Sequence, residues 1–220
     1  MKKVLIIHAH PEKKSFCSAL KEEAVSYFKS KGAEVKVSDL YNMGFNPVGD
    51  KNDFLELSNP DFFKYQAEQT NAFQKDLFTP EVKAEMEKFI WCDTLVFTFP
   101  LWWFGLPAIM KGWVDRVFAM GFSYGAGKGV YDGGTFKDKI AFGVITTGGP
   151  EVAYGPNGKN GNLETILYPV HHGMFYFVGM QTKNPFICFS PARLSDEERK
   201  AELARFSDFL DKVETSPNLF

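Results

Sequence analysis

Trp102, Trp103 and Phe104 stand side by side in this chain, after Pro100 and Leu101 and before Gly105 and Pro107. Consecutive side chains point in different directions, so three adjacent large aromatics in a loop bounded by Pro and Gly cannot all enter one core. They suit a shelf for something flat and apolar, although aromatics also anchor subunit interfaces. Trp113, by contrast, falls on the apolar face of a helical pattern and reads as core.

Two further loops carry polar chemistry. "HAHPEKKSF" leads into a helical pattern, where free N–H groups, the Ser15 and Ser18 hydroxyls and the His10 imidazole could hold a phosphate. It lacks both the G-x-G-x-x-G and the P-loop pattern, which argues against a dinucleotide-binding Rossmann domain and an NTPase. Ser15 taken alone reads as a helix cap, and Lys13 and Lys14 as solvated charges. "TTGGPEVAYGPNGKNG" opens with Thr146, Thr147, Gly148 and Gly149, which offer N–H donors with no side chain to keep a ring away. Tyr154 and Asn160 follow, and "GPNGKNG" reads as a flexible lid. An aromatic shelf, a phosphate-ready helix start and a Gly-lined donor edge together suit a tricyclic flavin with its phosphate tail.

The elements that must bring these loops together are apolar, β-rich runs at residues 3–8, 34–39, 94–99, 140–146 and 185–190, separated by helical patterns. That alternation predicts an α/β protein with a parallel sheet. Right-handed crossovers give a flavodoxin-like, doubly wound sheet of five strands in the order 2-1-3-4-5, with helices on both faces. The three loops then lie at the carboxyl ends of strands 1, 3 and 4, where such sheets bind ligands. Helices are expected from Phe16 to about Lys31 with Ser15 as cap, and from Pro80 with Val82, Met86, Phe89 and Ile90 facing the sheet. Two more are expected from Pro107 and over 196–213. Residues 42–78 read as an irregular and helical insertion within one domain spanning 1–220.

Composition narrows the classes. The chain has 220 residues, 45% of them hydrophobic, 23 Phe, and a net charge of −2. That charge gives no reason to expect nucleic acid or an acidic membrane as partner. Cys17, Cys92 and Cys188 are odd in number and far apart, so they form neither a disulfide framework nor a zinc or C-x-x-C motif. The uncharged run from Thr94 to Met110 is interrupted by Pro100, Gly105 and Pro107 and is short for a membrane span. The N-terminus does not form a secretory signal, and a cytoplasmic protein is expected.

With "LIIHAHPEKKSF", "SDLYNMGFNP", "FKYQAE", "FPLWWFGLPAIMKGWVDRVF" and "TTGG" in place, the chain resembles the flavin-dependent NAD(P)H:quinone oxidoreductases of flavodoxin-like fold, from Lys3 to about Arg199. The resemblance implies FAD, with FMN as the alternative, and NAD(P)H as hydride donor to a quinone in ping-pong, two-electron steps. It implies that His10, Phe16 and Cys17 bind the flavin nucleotide's phosphates and that Leu101, Trp102, Trp103 and Phe104 hold the isoalloxazine. Thr146, Thr147, Gly148, Gly149 and Tyr154 would contact its pyrimidine edge, while Lys64 and Arg199 lie toward adenosine. Ser123, Tyr124, Gly125, Gly173 and Phe177 would form the substrate wall contributed by the partner of a homodimer, opposite Trp103 and Phe104. Asn160 stands where longer family members pair the site tyrosine with a histidine, and "GAGKG" replaces a second family tyrosine. The C-terminal domain of the longer members has no counterpart in these 220 residues, and a shorter relative prefers dihydronicotinamide riboside. Alternative readings are a nitro- or azo-reductase on the same flavin, or a regulatory flavoprotein of a potassium-efflux system.

Overall fold

Strand β1 (Lys3–His8) pairs in parallel with both β2 (Glu34–Asp39) and β3 (Thr94–Pro100), and β3 pairs with β4 (Ile140–Thr147). The computed structural model describes residues 1–220. The fifth position differs from the single strand expected: two short pieces, β5 (Gln181–Thr182) and β6 (Phe186–Phe189), both pair with β4. The break falls at Asn184-Pro185, where proline has no N–H for the ladder. The sheet therefore has six strands in the order β2-β1-β3-β4-β5, with β6 continuing the β5 position along β4.

Each central strand splits its side chains between two cores, as a parallel sheet covered on both faces requires. Leu5, Ile7, Leu95, Phe97, Phe99 and Ile145 enter one core with helices α3 (Pro80–Trp91) and α4 (Ala108–Val117). Val4, Ile6, Val96, Phe142 and Val144 enter the other, under α1 (Phe16–Ser30) and α6 (Asp196–Val213). Ser15 and Ser195 cap α1 and α6, the latter in a full capping box with Glu198. In α3, Val82, Met86 and Phe89 are buried, but Ile90 is 58% exposed. The buried stripe is narrower than the expected one, and Ile90 lies on its rim beside Phe73 and Phe122.

The insertion is irregular and helical as expected: it forms α2 (Tyr65–Lys75), joined to the body by Asp53, whose carboxylate accepts from Arg116 at 2.8 Å and Tyr65 at 2.5 Å. After β4, "GPNGKNG" is a compact turn: Asn160 N–H donates to the Ala153 carbonyl, and a Cβ at Gly158 would lie 2.4 Å from that same oxygen. It leads, through an Asn162 cap, into α5 (Leu163–Val170) and a π-helical turn over 171–176. Pro169 within α5 removes a helical donor and accompanies that widening.

Candidate active site

The β1–α1 loop is built around its own hydrogen bonds. Glu12 N–H donates to His10 Nδ1 at 3.0 Å, and the same ring nitrogen lies 3.2 Å from the Glu12 carbonyl oxygen. Ser15 Oγ accepts from Ser18 N–H at 3.1 Å, and Ser18 Oγ donates to the Glu12 carbonyl at 3.0 Å. The N–H groups of Phe16 and Cys17, in the first turn of α1, donate to no group of the protein. Both residues line a cavity of ≈ 390 Å³ with His10, Lys14, Ser15 and Arg199. Two cations and no carboxylate line it, so helix dipole and side chains favour an anion together. Arg199 is aimed by bonds to the Pro191 carbonyl and Asp196, both 3.0 Å. The Cys17 thiol is pushed up to about 12 by burial, so this residue offers its backbone rather than a thiolate.

A second cavity of ≈ 580 Å³ shares His10, Thr146 and Ala192 with the first and continues over Pro100, Leu101, Trp102, Trp103, Thr147 and Gly148. Its aromatic wall is a tight turn, closed by Gly105 N–H donating to the Trp102 carbonyl at 3.0 Å. Trp103 (φ 49°) and Phe104 (φ 59°) both adopt the left-handed conformation, rare for bulky residues. Trp103 is 96% exposed, whereas Trp113 is fully buried and donates to Glu85 at 2.8 Å. Leu101 N–H, bonded to the Thr146 carbonyl at 2.8 Å, fixes the turn to β4.

At the far rim, Thr147 Oγ1 donates to the Gly149 carbonyl at 2.8 Å and Ser190 Oγ to the Gly148 carbonyl at 3.1 Å. Both carbonyls are thus tied back, while the Gly148 and Gly149 N–H groups have no partner in the protein. A Cβ at Gly149 would stand 3.1 Å from Asn160 Nδ2 and 3.2 Å from a Tyr154 ring carbon, so these two side chains close on this edge.

A separate cluster holds the remaining expected residues. The Tyr124 and Phe177 rings meet edge-on at 5.6 Å, and Tyr124 OH accepts from Gln66 at 3.1 Å. Gly125 (φ 67°) turns the chain beside them, and Gly173 lies in the π-helical turn that leads to Phe177. Ser123 is fully buried, its hydroxyl donating to the Ala119 carbonyl at 3.2 Å, so it has backbone alone to offer. Lys64 lines a different cavity with Gln66 and Met120. None of these six lines the groove between Arg199 and Trp103. Sequence reasoning missed Ser190, Pro191 and Ala192, whose one local signal is the proline after β6, and Ser190 itself is left-handed at φ 48°.

No helix is long and apolar enough to cross a membrane. The profile of a family described as having a flavodoxin-like fold matches residues 2–210, and the chain belongs to that family. Among its relatives are ribosyldihydronicotinamide dehydrogenase (quinone) of Rattus norvegicus, 42% identical over 96% of this chain and 92% of that protein, and NAD(P)H dehydrogenase (quinone) 1 of Cavia porcellus, 40% identical over 97% and 78%. A crystal structure of a proposed quinone reductase from Klebsiella pneumoniae superposes with a TM-score of 0.96 at 36% identity, over all of this chain and 87% of that one.

Proposed function

We propose that the protein is a flavin-dependent oxidoreductase that takes two electrons from a reduced nicotinamide and gives them to a quinone. The observation that carries this is the single groove running from the α1 N-terminus and Arg199, past His10, to Trp102, the exposed Trp103 and Gly148, with Phe104 and Gly149 next to it in the chain. It offers anion-binding groups at one end, an apolar wall in the middle and unspent N–H donors at the other, the three demands of a phosphate-bearing flavin. The kinship with dehydrogenases named for quinone supports the acceptor, and their names support either NAD(P)H or its ribosyl analogue as donor.

When bound, the flavin supplies hydride acceptance and donation. Phe16, Cys17 and Arg199 would hold its phosphate end, and Leu101 to Phe104 its ring. Gly148 and Gly149 N–H with the Tyr154 hydroxyl would face negative charge at the pyrimidine edge. Trp103 and Phe104, both exposed, would flank the place where donor and acceptor stack in turn, hence ping-pong kinetics. FAD is preferred to FMN because the similarity to the quinone dehydrogenases runs through the insertion that carries Lys64. Lys64, Tyr124, Gly125, Gly173 and Phe177 stand apart from the groove, so a second copy would bring them to it in a homodimer with two sites. The azoreductases of similar fold are 16–20% identical, and nothing in the groove favours that acceptor.

The test is anaerobic: the purified protein, reconstituted with FAD, should bleach with NADH, NADPH or dihydronicotinamide riboside and regain colour with menadione. Protein that binds neither FAD nor FMN would refute the reading.

A further inference from the structure

His8, the last residue of β1, has no part in the roles assigned above and does not line the groove. It is 1% exposed, packed between β3 and the first turn of α1. Its Nδ1 lies 2.8 Å from Thr98 Oγ1 and its Nε2 lies 3.2 Å from Ser18 Oγ.

The neighbours decide where the protons are. Ser18 Oγ gives its own proton to the Glu12 carbonyl and receives one from Ser15 Oγ at 3.0 Å. A hydroxyl oxygen has one remaining lone pair, which Nε2–H fills; Nδ1 then takes the Thr98 hydroxyl hydrogen at 2.8 Å in preference to the Ile7 carbonyl, 3.4 Å from the same hydroxyl. Burial keeps the imidazole neutral, as this pattern needs; its pKa is lowered to about 4, with Asp39 and Glu22 opposing and Lys21 and His10 assisting.

The bonds form a relay. His8 holds Ser18, Ser18 holds the Glu12 carbonyl, and the Glu12 N–H holds His10, which lines both cavities. Ser18 also ties back Ser15, the residue just before the two free N–H groups. We propose that His8 is a positioning residue for the phosphate-binding loop, fixing through Ser18 the aim of the Phe16 and Cys17 N–H groups and of the His10 ring. This rests on the flavin reading, and it predicts that His8 matters for the phosphate end of the ligand and not for the ring.

The probes are therefore FAD, FMN and riboflavin, which share the ring and differ in phosphate. Binding to the full-length apoprotein is followed by flavin fluorescence. His8→Leu should weaken FAD and FMN about 10-fold or more, by analogy with the loss of a hydrogen bond that orients a metal ligand, and leave riboflavin within about twofold. His8→Gln, which keeps an N–H donor, should recover most of the loss. Ser18→Ala removes the middle link with a smaller change to the core and should repeat the phosphate-selective loss if His8→Leu folds poorly. Equal losses for FMN and riboflavin, or unchanged FMN affinity in folded His8→Leu or Ser18→Ala protein, would overturn the proposal. Failure of the unaltered protein to bind any flavin is a different result and would refute the functional reading instead.

Discussion

The His10 and Trp102 rings stand 6.1 Å apart, centroid to centroid, with their planes at 54°. One comes from the loop after β1 and the other from the loop after β3, and the contact joins the phosphate end of the groove to its aromatic wall.

The turn beside Trp102 gives a stability test. Trp103 is nearly fully exposed in a left-handed conformation, which costs a bulky residue about 1–2 kcal/mol. Trp103→Gly should remove that cost, offset by about 0.5–1 kcal/mol of added unfolded-state freedom, so the melting temperature should hold or rise slightly. Flavin reduction should fall, because ring stacking on one aromatic is worth about 1–3 kcal/mol by analogy with base stacking. Trp113→Ala should instead cost about 3–5 kcal/mol of stability, as for other buried Trp. Calorimetry beside stopped-flow reduction separates the two.

Gly149→Ala tests the donor edge. The new methyl group would press on Asn160 Nδ2 at 3.1 Å and on the Tyr154 ring at 3.2 Å, two partly buried side chains with room to give. Reduction should slow about 10-fold, the effect of a donor moved out of place, with little change in melting temperature. An unaltered rate would remove Gly149, Tyr154 and Asn160 from the reacting end.

Asn160 bears on pH. An amide does not titrate, so His10 is the one imidazole lining the groove, and burial lowers its pKa below the ordinary 6.5. The rate of flavin reduction should therefore show no histidine step above about pH 6.5. Asn160→His should introduce one, and Tyr154→Phe should cost about 10- to 100-fold. Stopped-flow traces across pH decide this, and a step near pH 7 in the unaltered protein would contradict it.

Acid stability follows from two other histidines. Burial lowers both His8 and His171 to about 4. Between that value and 6.5 the unfolded chain binds protons that the folded chain refuses, so stability is complete above about pH 6.5 and declines toward pH 4. Each contributes on the order of 2–3 kcal/mol. Urea titrations from pH 7.5 to 4 should show the midpoint falling, and less steeply in His171→Leu.

Much of the scaffold is written in the sequence. β1, β3 and β4 read as unbroken apolar runs because both their faces are buried, and Ser15 and Ser195 mark the starts of α1 and α6 through their own side chains. The same logic put the His10, Trp102 and Gly148 loops at one end of the sheet. What is local in cause is legible in local residues.

Other features depend on contacts between distant segments, and only the folded chain decides them. Ile90 continues an apolar pattern yet lies at the edge of what the sheet covers. The left-handed Trp103–Phe104 pair depends on a turn that Gly105 N–H closes onto the Trp102 carbonyl and that Leu101 N–H fixes to β4. His8 read as one more residue of a strand, because its partners Thr98 and Ser18 lie 90 and 10 residues away. Tyr124 and Phe177 matched the family as His10 did, and Lys64 an outlying position of it, but sequence similarity carries no distance. The fold alone separates them from the groove lining: α2 carries Lys64 to another cavity, and the turn after α4 and the π-helical turn bring Tyr124 and Phe177 together.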